Sequence, residues 1–436
     1  MTPRCCLHAS YRFWPVAGQG VNFYNRGLDY YAKGDYVRAI VDLKGRQEAG
    51  ALSGINKSVA YIALYVALYG AFGVASPYWP KFFETRSLSP PQIAMILGAA
   101  ILIRLIAGPL IGAVADLLAS SRLVLASCAA LAAAAAVSLL SAHTFWLLLA
   151  LALVQAAALA PTTSIADALT VNIAKPEIAG TRFEYGWIRG SGSAAFALGT
   201  LIMGQLISLH DLTPVIWMNA AMLIWTACAT TLLPRIPAQL NPHTRRSPSA
   251  IELRRLLGTS RFQILILVAA LVFGSHAMND TFGVIRWSDA GINSSIISFL
   301  LSEAVAAEVI VFILIGPMLL DRLGERGAAA LAAMAGMARW SFEGATNSVF
   351  ALSILQPLHG LTFALLHLAC MRMMAASIPS NVAATAQSAY GFASGLVTAS
   401  VTLISGLLYA KYGGAAFFPM AALCGVALPF VWFGLR

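Results

Sequence analysis

From residue 58 to the end of the chain, apolar runs follow one another with only short polar breaks. A bilayer core about 30 Å thick is crossed by about 20 apolar residues in helical form. The runs therefore predict twelve membrane helices, near 58–80, 92–115, 122–142, 145–168, 187–209, 214–233, 262–283, 294–320, 326–345, 348–373, 385–409 and 414–434. The longest interior polar stretch, PRIPAQLNPHTRRSPSAIELRRLLGTSR at 234–261, falls after the sixth span. It divides the chain into a six-span bundle at 57–233 and another at 262–436. The halves echo each other: IAGPLIGAVAD (106–116) is similar to LIGPMLLD (314–321), and LIMGQLI (201–207) to LISGLLY (403–409). Repeated halves with a site between them at the bilayer midplane are how many secondary transporters are built.

Composition agrees. Apolar residues make up 59% and charged residues 11% of the 436, against about 25% charged in a soluble domain, and mean hydropathy is +0.76. The net charge of +10 does not signal nucleic acid, because the basic residues sit mostly in loops and near the N-terminus, where membrane proteins keep them. Loops after even-numbered spans hold Arg122, Lys175, Arg182, Arg235, Arg245, Arg246, Arg254, Arg255, Arg261, Arg322, Arg326 and Arg372. Those after odd-numbered spans hold Lys81, Arg86, Arg286 and Lys411. Lys and Arg mark the cytoplasmic side, so both termini and the central linker are expected there, in an inner-membrane protein.

Enzyme motifs are missing. There is no G-x-x-x-x-G-K-[ST] phosphate loop, no G-x-S-x-G and no H-E-x-x-H, so neither ATP-driven pumping nor hydrolysis is expected. The six cysteines (Cys5, Cys6, Cys128, Cys228, Cys370 and Cys424) show no zinc spacing, and neither metal, cofactor nor disulfide framework is expected. Glycine-rich RGSGSAAFALG (189–199) opens a membrane helix, where small residues allow close helix packing.

Residues 1–56 lack a signal-peptide apolar region. YNRGLDYYAKGDYVRAIVDL (24–43) has the spacing of one tetratricopeptide repeat. One repeat cannot bury its own face. The segment is either a short cytoplasmic helical extension without a role or a weak docking element for a protein partner.

Ionisable residues inside a bilayer are costly and face the bundle interior or an aqueous cavity. Here they are Arg104 in span 2, Asp167 and Arg189 near the ends of spans 4 and 5, His276 and Asp280 in span 7, and Glu303 and Glu308 in span 8. Span 9 adds Arg339 and Glu343, and LHGLTFALLHLACMRM (358–373) in span 10 adds His359, His367 and Arg372. His276 and Asp280 are four apart, share a face and are placed to hydrogen-bond. His359 and His367 lie ~12 Å apart along the axis and about 80° around it, so they are separate stations rather than one metal-binding pair. Glu303 and Glu308 point about 140° apart, so at most one faces a given point of a cavity.

Arg104, at mid-depth, needs an anion: a carboxylate or the substrate. Substrate binding is expected at Arg104, Asp167, Arg189, His276 and His359, and proton coupling at Glu303, Glu308, His367 and Asp280. Gating is expected at Asp116, Arg122, Asp321, Arg322 and Arg372. For each histidine a plain hydrogen bond to a neighbouring helix is the competing reading. Tyr61, Tyr65, Tyr69 and Trp79 offer aromatic surface in or near span 1.

These residues carry a family resemblance. The two six-span halves and basic linker resemble the major facilitator superfamily. Its loop 2–3 signature is recognisable in GAVADLLASSR (112–122), with Leu117 where a basic residue belongs, and is better kept in Asp321-Arg322-Leu323-Gly324. Closer likeness is to the phenylpropionic acid transporter-like branch, related to nucleoside:proton symporters. It rests on PYWPKFFETRSLSPPQIAMILGAAILIR (77–104), PTTSIADAL (161–169), YGWIRGSGSAAFALG (185–199), GSHAMNDTFGVIRW (274–287), EVIVF (308–312), ARW (338–340) and the span 10 stretch. The chain departs from that branch at Arg189-Gly190-Ser191-Gly192, where Arg-Leu-Trp-Gly belongs, and in Asp280 and Arg286. Both departures are expected to bear on substrate choice.

The resemblance implies an all-α membrane protein of twelve helices in two pseudo-symmetric halves. It implies a monomer that moves a small organic solute, an aromatic acid such as phenylpropionate, inward with protons by alternating access. A proton-antiport exporter of amphiphiles and a membrane-anchored interaction protein are the other readings.

Overall fold

A computed structural model of the protein describes residues 59–118, 120–173, 185–208, 210–233, 254, 256–379 and 382–435. The repeat-like segment at 24–43, Lys175, Arg182 and most of the 234–261 linker lie outside the described residues. The chain forms two compact units. The smaller, Met1–Tyr61 with Thr170–Tyr185, lies mostly outside the described residues. The larger, Ile62–Leu169 with Gly186–Arg436, holds the body of the helices and the site.

Among the described residues, nine continuous helical stretches are long and apolar enough to cross a membrane. Two are too long for one crossing: Ser294–Ala345 has 52 residues and Thr385–Gly434 has 50, and 52 residues of straight helix would run ~78 Å. Each folds back at a glycine in the left-handed region, Gly324 (φ 67°) and Gly413 (φ 53°), which a side chain would strain. The 22-residue helix Tyr185–Leu206 is less apolar but of membrane length. Counting it, and dividing the two long stretches, gives twelve.

They are α1 (Val59–Thr85), α2 (Pro90–Leu117), α3 (Ser121–Ser141), α4 (Phe145–Thr170), α5 (Tyr185–Leu206), α6 (Thr213–Leu232) and α7 (Ser260–Asp289). Next come α8 (294–323), α9 (325–345), α10 (Val349–Ser377), α11 (Ala383–Tyr412) and α12 (414–434). They match the twelve expected spans in order. Starts are written in the sequence: Ser89 and Gln92 form a capping box ahead of Pro90 and Pro91, and the Asn293 side chain accepts from the Ile296 amide at 2.9 Å.

Besides a 3-10 turn at Ser76–Tyr78 of α1 and a π turn at Phe430–Gly434 of α12, four helices depart from regular geometry. α4 is interrupted at Ala160–Pro161, α7 at Ser275–His276 and α10 at Gln356–Pro357. α8 and α10 also widen to a π turn at Val311–Ile315 and Leu361–Leu365. Such turns recur at functional sites, and irregular backbone is tolerated in a bilayer only where protein or water satisfies it.

The two halves meet on one side. Lys81 at the end of α1 reaches Asp289 at the end of α7 at 3.4 Å. Ser294 and Ser295 of α8 donate to the Ile207 carbonyl (2.9 Å) and the Gln205 side chain (3.0 Å) beside α5. A Cβ on Gly406 of α11 would lie 2.8 Å from the Pro90 carbonyl oxygen of α2, and one on Gly98 would lie 2.8 Å from Leu403. The deepest such approach is Gly395 of α11 against Leu105 of α2. Among the described residues, the bonds and close glycine contacts that join the halves run from the Lys81 face down to the level of Leu105. The halves are closed at that face, with the interior opening toward the other.

Candidate functional site

On α2, Ala100, Ala107 and Ala115 are buried, yet Arg104 on the same face is exposed. It points about 135° away from the exposed stripe of Met95, Ile106, Leu110, Val114 and Leu117. Its exposure is therefore to an internal cavity rather than to lipid. Arg104 has no hydrogen bond or ion pair with any described residue. Asp280 on α7 repeats the pattern. It is exposed, while His276 and Val284, one turn to either side, are 5% exposed each.

The second half holds a connected polar chain. Glu308 Oε2 of α8 lies 3.4 Å from His359 Nε2 of α10, and His359 Nδ1 lies 3.0 Å from Arg339 Nη1 of α9. The other guanidinium amine donates to Gln356 Oε1 at 3.0 Å, and Arg339 Nε faces Glu343 at 3.7 Å. An arginine only donates, so Nδ1 of His359 must accept. The neutral ring then carries its proton on Nε2, toward Glu308. A second proton on His359 would displace Arg339, whereas Glu308 takes one without breaking that contact. The backbone allows this approach: Gly360 sits so near α8 that a Cβ there would lie 2.7 Å from the Ala307 carbonyl oxygen.

Around this chain His276 stacks edge-on to His359 and to Trp340, both at 5.1 Å between ring centres. Trp340 donates to Ser275 Oγ at 2.8 Å, which fixes the break in α7. The expected bond between His276 and Asp280 is not formed, and His276 Nε2 is buried without a partner. The Asp280 amide still bonds the His276 carbonyl at 3.0 Å, but the ring turns to the aromatic cluster instead. Glu303 accepts from Ser353 at 2.8 and 3.0 Å, on its own and away from Glu308. His367, deeper along α10, lies 3.3 Å from the Tyr390 hydroxyl of α11, a link between helices.

In the first half, Tyr65 donates to Asp167 at 2.5 Å. Tyr65 stacks on Tyr69 with ring centres 5.6 Å apart, and the Arg189 guanidinium lies 4.6 Å over the Tyr69 ring, a cation–π contact. Asp167 and Arg189 are thus bridged by two tyrosines rather than paired directly. Gly192 makes room for both rings, since a Cβ there would come within 2.8 Å of Tyr69.

Among the expected gating residues, Arg372 bonds Asp321 at 2.6 Å and Glu325 at 3.1 Å. Arg322 and Asp116 are exposed at the same face. Arg122 is different from the expectation. It donates to the Thr230 and Thr231 carbonyls at 3.0 Å each and so caps the end of α6, where a cation meets unsatisfied carbonyls. The departures in α5 and α7 also differ. Gly190 is exposed with nothing near a Cβ, and Ser191, bonded to the Ile188 carbonyl at 2.7 Å, falls on the outward stripe of Trp187, Leu198 and Ile202. Arg286 donates to the carbonyls of Glu343, Gly344 and Thr346 at the end of α9. Ser191 and Arg286 do not line the cavity, and Asp280 does. Sequence reading passed over Gln356, Ser353 and Tyr390, ordinary polar residues whose partners lie on other helices.

Two six-helix halves, closed together at one face around a cavity that holds an arginine unpaired among the described residues, define a secondary transporter of the major facilitator type. The chain belongs to the MFS_1 like family, which matches residues 59–420. It is 30% identical over 387 residues to the probable 3-phenylpropionic acid transporter of Escherichia coli (strain K12), covering 86% of this chain and 97% of that protein. It is 25% identical over 378 residues to the maltose permease of Geobacillus stearothermophilus, covering 85% of this chain and 92% of that protein.

Among solved structures, the nucleoside transporter NupG superposes with a TM-score of 0.76 at 16% identity, covering 86% of this chain and 98% of that one. A bacterial homolog to the human lysosomal transporter Spinster, in an inward-facing and unoccupied conformation, gives 0.72 at 14% identity, covering 88% and 97%. The protein is a transporter of small molecules and not an enzyme, and a multi-pass protein of the bacterial inner membrane.

Proposed function

We propose that the protein imports a small organic acid, an aromatic carboxylate of the phenylpropionate type, together with a proton by alternating access. The observation that carries this is Arg104, exposed to the cavity at mid-depth and without a partner among the described residues. A guanidinium in a bilayer needs an anion, and the substrate carboxylate supplies it. The 30% identity to a probable 3-phenylpropionic acid transporter supports an aryl acid, as do the aromatic rings of Phe273, Phe363 and Tyr390 near His276 and His359. Glu308 is the proton carrier, because His359 is held as an acceptor by Arg339. Glu303, His367 and Asp280 are the further candidates for proton coupling, and Asp167, Arg189, His276 and His359 join Arg104 in substrate binding. The Lys81 face is outward, both termini are cytoplasmic, and the protein works as a monomer, with Arg372, Asp321 and Arg322 at the cytoplasmic rim. Residues 1–56 are dispensable: deleting them is expected to leave uptake unchanged, and loss of uptake would make the extension part of the machine.

The test is proton movement in proteoliposomes on adding phenylpropionate or a nucleoside. Wild type is expected to acidify the lumen with phenylpropionate, and Glu308→Gln to take up solute without acidification. Uptake with no proton movement in wild type would make this a facilitator, and outward movement of solute against an inward proton gradient would make it an exporter.

A further inference from the structure

The cavity is electrically lopsided. Among the described residues of the first half its charges are Arg104 and, nearer the helix ends, Arg189 and Asp167, two cations against one anion. In the second they are Arg339 against Asp280, Glu303 and Glu308, with Glu343 and Arg286 adjoining one another at the Lys81 end of α9. When all are ionised the second half carries two surplus negative charges. Uncompensated charge at this depth is costly. The coupling proton on Glu308 removes one. Asp280 remains, exposed to the cavity, with no ion pair within 4 Å to any described residue. Arg339, the nearby cation, is turned to other groups: it bonds His359 and Gln356 and faces Glu343 at 3.7 Å. One turn away on the same helix, His276 Nε2 is buried and unpartnered.

We infer that the substrate is zwitterionic: a carboxylate that meets Arg104 at one end, and an ammonium that meets Asp280 and the His276 edge at the other. This rests on the reading of Arg104 as the carboxylate site. The spacing is set by helix geometry. Arg104 lies fourteen residues in from Pro90 and Asp280 nine in from Asp289, both helix ends being at the Lys81 face, so they differ in depth by ~7.5 Å at 1.5 Å per residue. An amine beside the carboxylate, as in phenylalanine, is too close to bridge them. An amine at the far end of the aromatic ring fits.

The experiment is competition against labelled phenylpropionate uptake by unlabelled phenylpropionate, phenylalanine, 3-(4-hydroxyphenyl)propionate and 3-(4-aminomethylphenyl)propionate, in wild type and in Asp280→Asn. In wild type the aminomethyl acid is expected to compete about tenfold or more better than phenylpropionate, from one charged hydrogen bond, with the hydroxy acid between them and phenylalanine no better than the parent. In Asp280→Asn the ratio of aminomethyl acid to parent should fall below about twofold. Equal or weaker competition by the aminomethyl acid in wild type overturns the inference, and that arm does not depend on the variant folding. So does an advantage that survives in Asp280→Asn while acidification is lost, which would make Asp280 a proton carrier. If no aryl acid is taken up at all, the anion reading of Arg104 has failed, a result distinct from either.

Discussion

Replacing Gly406 with valine should drive the two halves apart at the Lys81 face. A Cβ at that position would stand 2.8 Å from the Pro90 carbonyl oxygen and 2.9 Å from Pro91 Cα. Both obstacles are backbone at the capped start of α2, so no side chain can swing aside. Overpacking of this kind costs about 1–3 kcal/mol. Only the state in which α2 and α11 touch bears the strain, because alternating access separates them there. The penalty is thus a coupling free energy, and 1–3 kcal/mol moves the equilibrium by about 5–150-fold toward the state open at the Lys81 face.

The readout is maleimide labelling of a cysteine placed at Ser302, which is 7% exposed and bonded to the Ala197 carbonyl across the halves. Native cysteines are removed first, and the protein is held in nanodiscs so that both faces are reachable. Gly391→Val is the control. It lies on the same helix, where a Cβ would meet nothing within 4 Å, so it shares any change in helix propensity without the clash. Labelling should accelerate in Gly406→Val and not in Gly391→Val. Equal rates in the two variants would refute the idea that this glycine contact permits closure.

Other substitutions separate effects by size. Lys81→Met removes an ion pair whose partner Asp289 has 57% of its side chain exposed, so it should shift the same labelling by no more than about fivefold, the value of ~1 kcal/mol; a shift as large as that of Gly406→Val would mean the ion pair, not the packing, is the latch. Gly360→Ala forces α10 off the Ala307 carbonyl and should weaken proton coupling while solute uptake persists, read as the ratio of proton to solute flux. An unchanged ratio would show that the Glu308–His359 contact is not what couples them. Arg286→Met takes the donor from three carbonyls at the end of α9 and should lower thermal stability in detergent by about 1.5–3 kcal/mol with substrate competition unchanged. A changed substrate preference would return Arg286 to the cavity.

What was legible in the sequence was what a single helix decides. The length of apolar runs set the twelve crossings, and Asp321-Arg322-Leu323-Gly324 announced the turn that the left-handed Gly324 makes. Reasoning at 100° per residue placed His276 and Asp280 one turn apart, as the bond from the Asp280 amide to the His276 carbonyl at 3.0 Å shows. It could not tell that the His276 ring would pack on Trp340 and His359, which come from other helices, rather than on its own neighbour. Nor does sequence tell a glycine that admits another helix from one that faces open space: Gly406 and Gly391 look alike along α11, and only the neighbour differs.

The same limit hid the chemistry of the site, since Glu308, His359 and Arg339 come from three helices and meet only through the Gly360 approach. What emerges from assembly is a division of labour. Among the described residues, the cations without carboxylate partners, Arg104 and the tyrosine-backed Arg189, sit on the first half, and the surplus carboxylates sit on the second. On the reading proposed above, a substrate carboxylate on one half and a proton on the other lower the charge of both walls at once. Either alone leaves a wall charged when the halves close over the cavity and exclude water, where unpaired charge is most costly. Coupling on that reading arises from electrostatics, without a direct contact between the proton site and the solute.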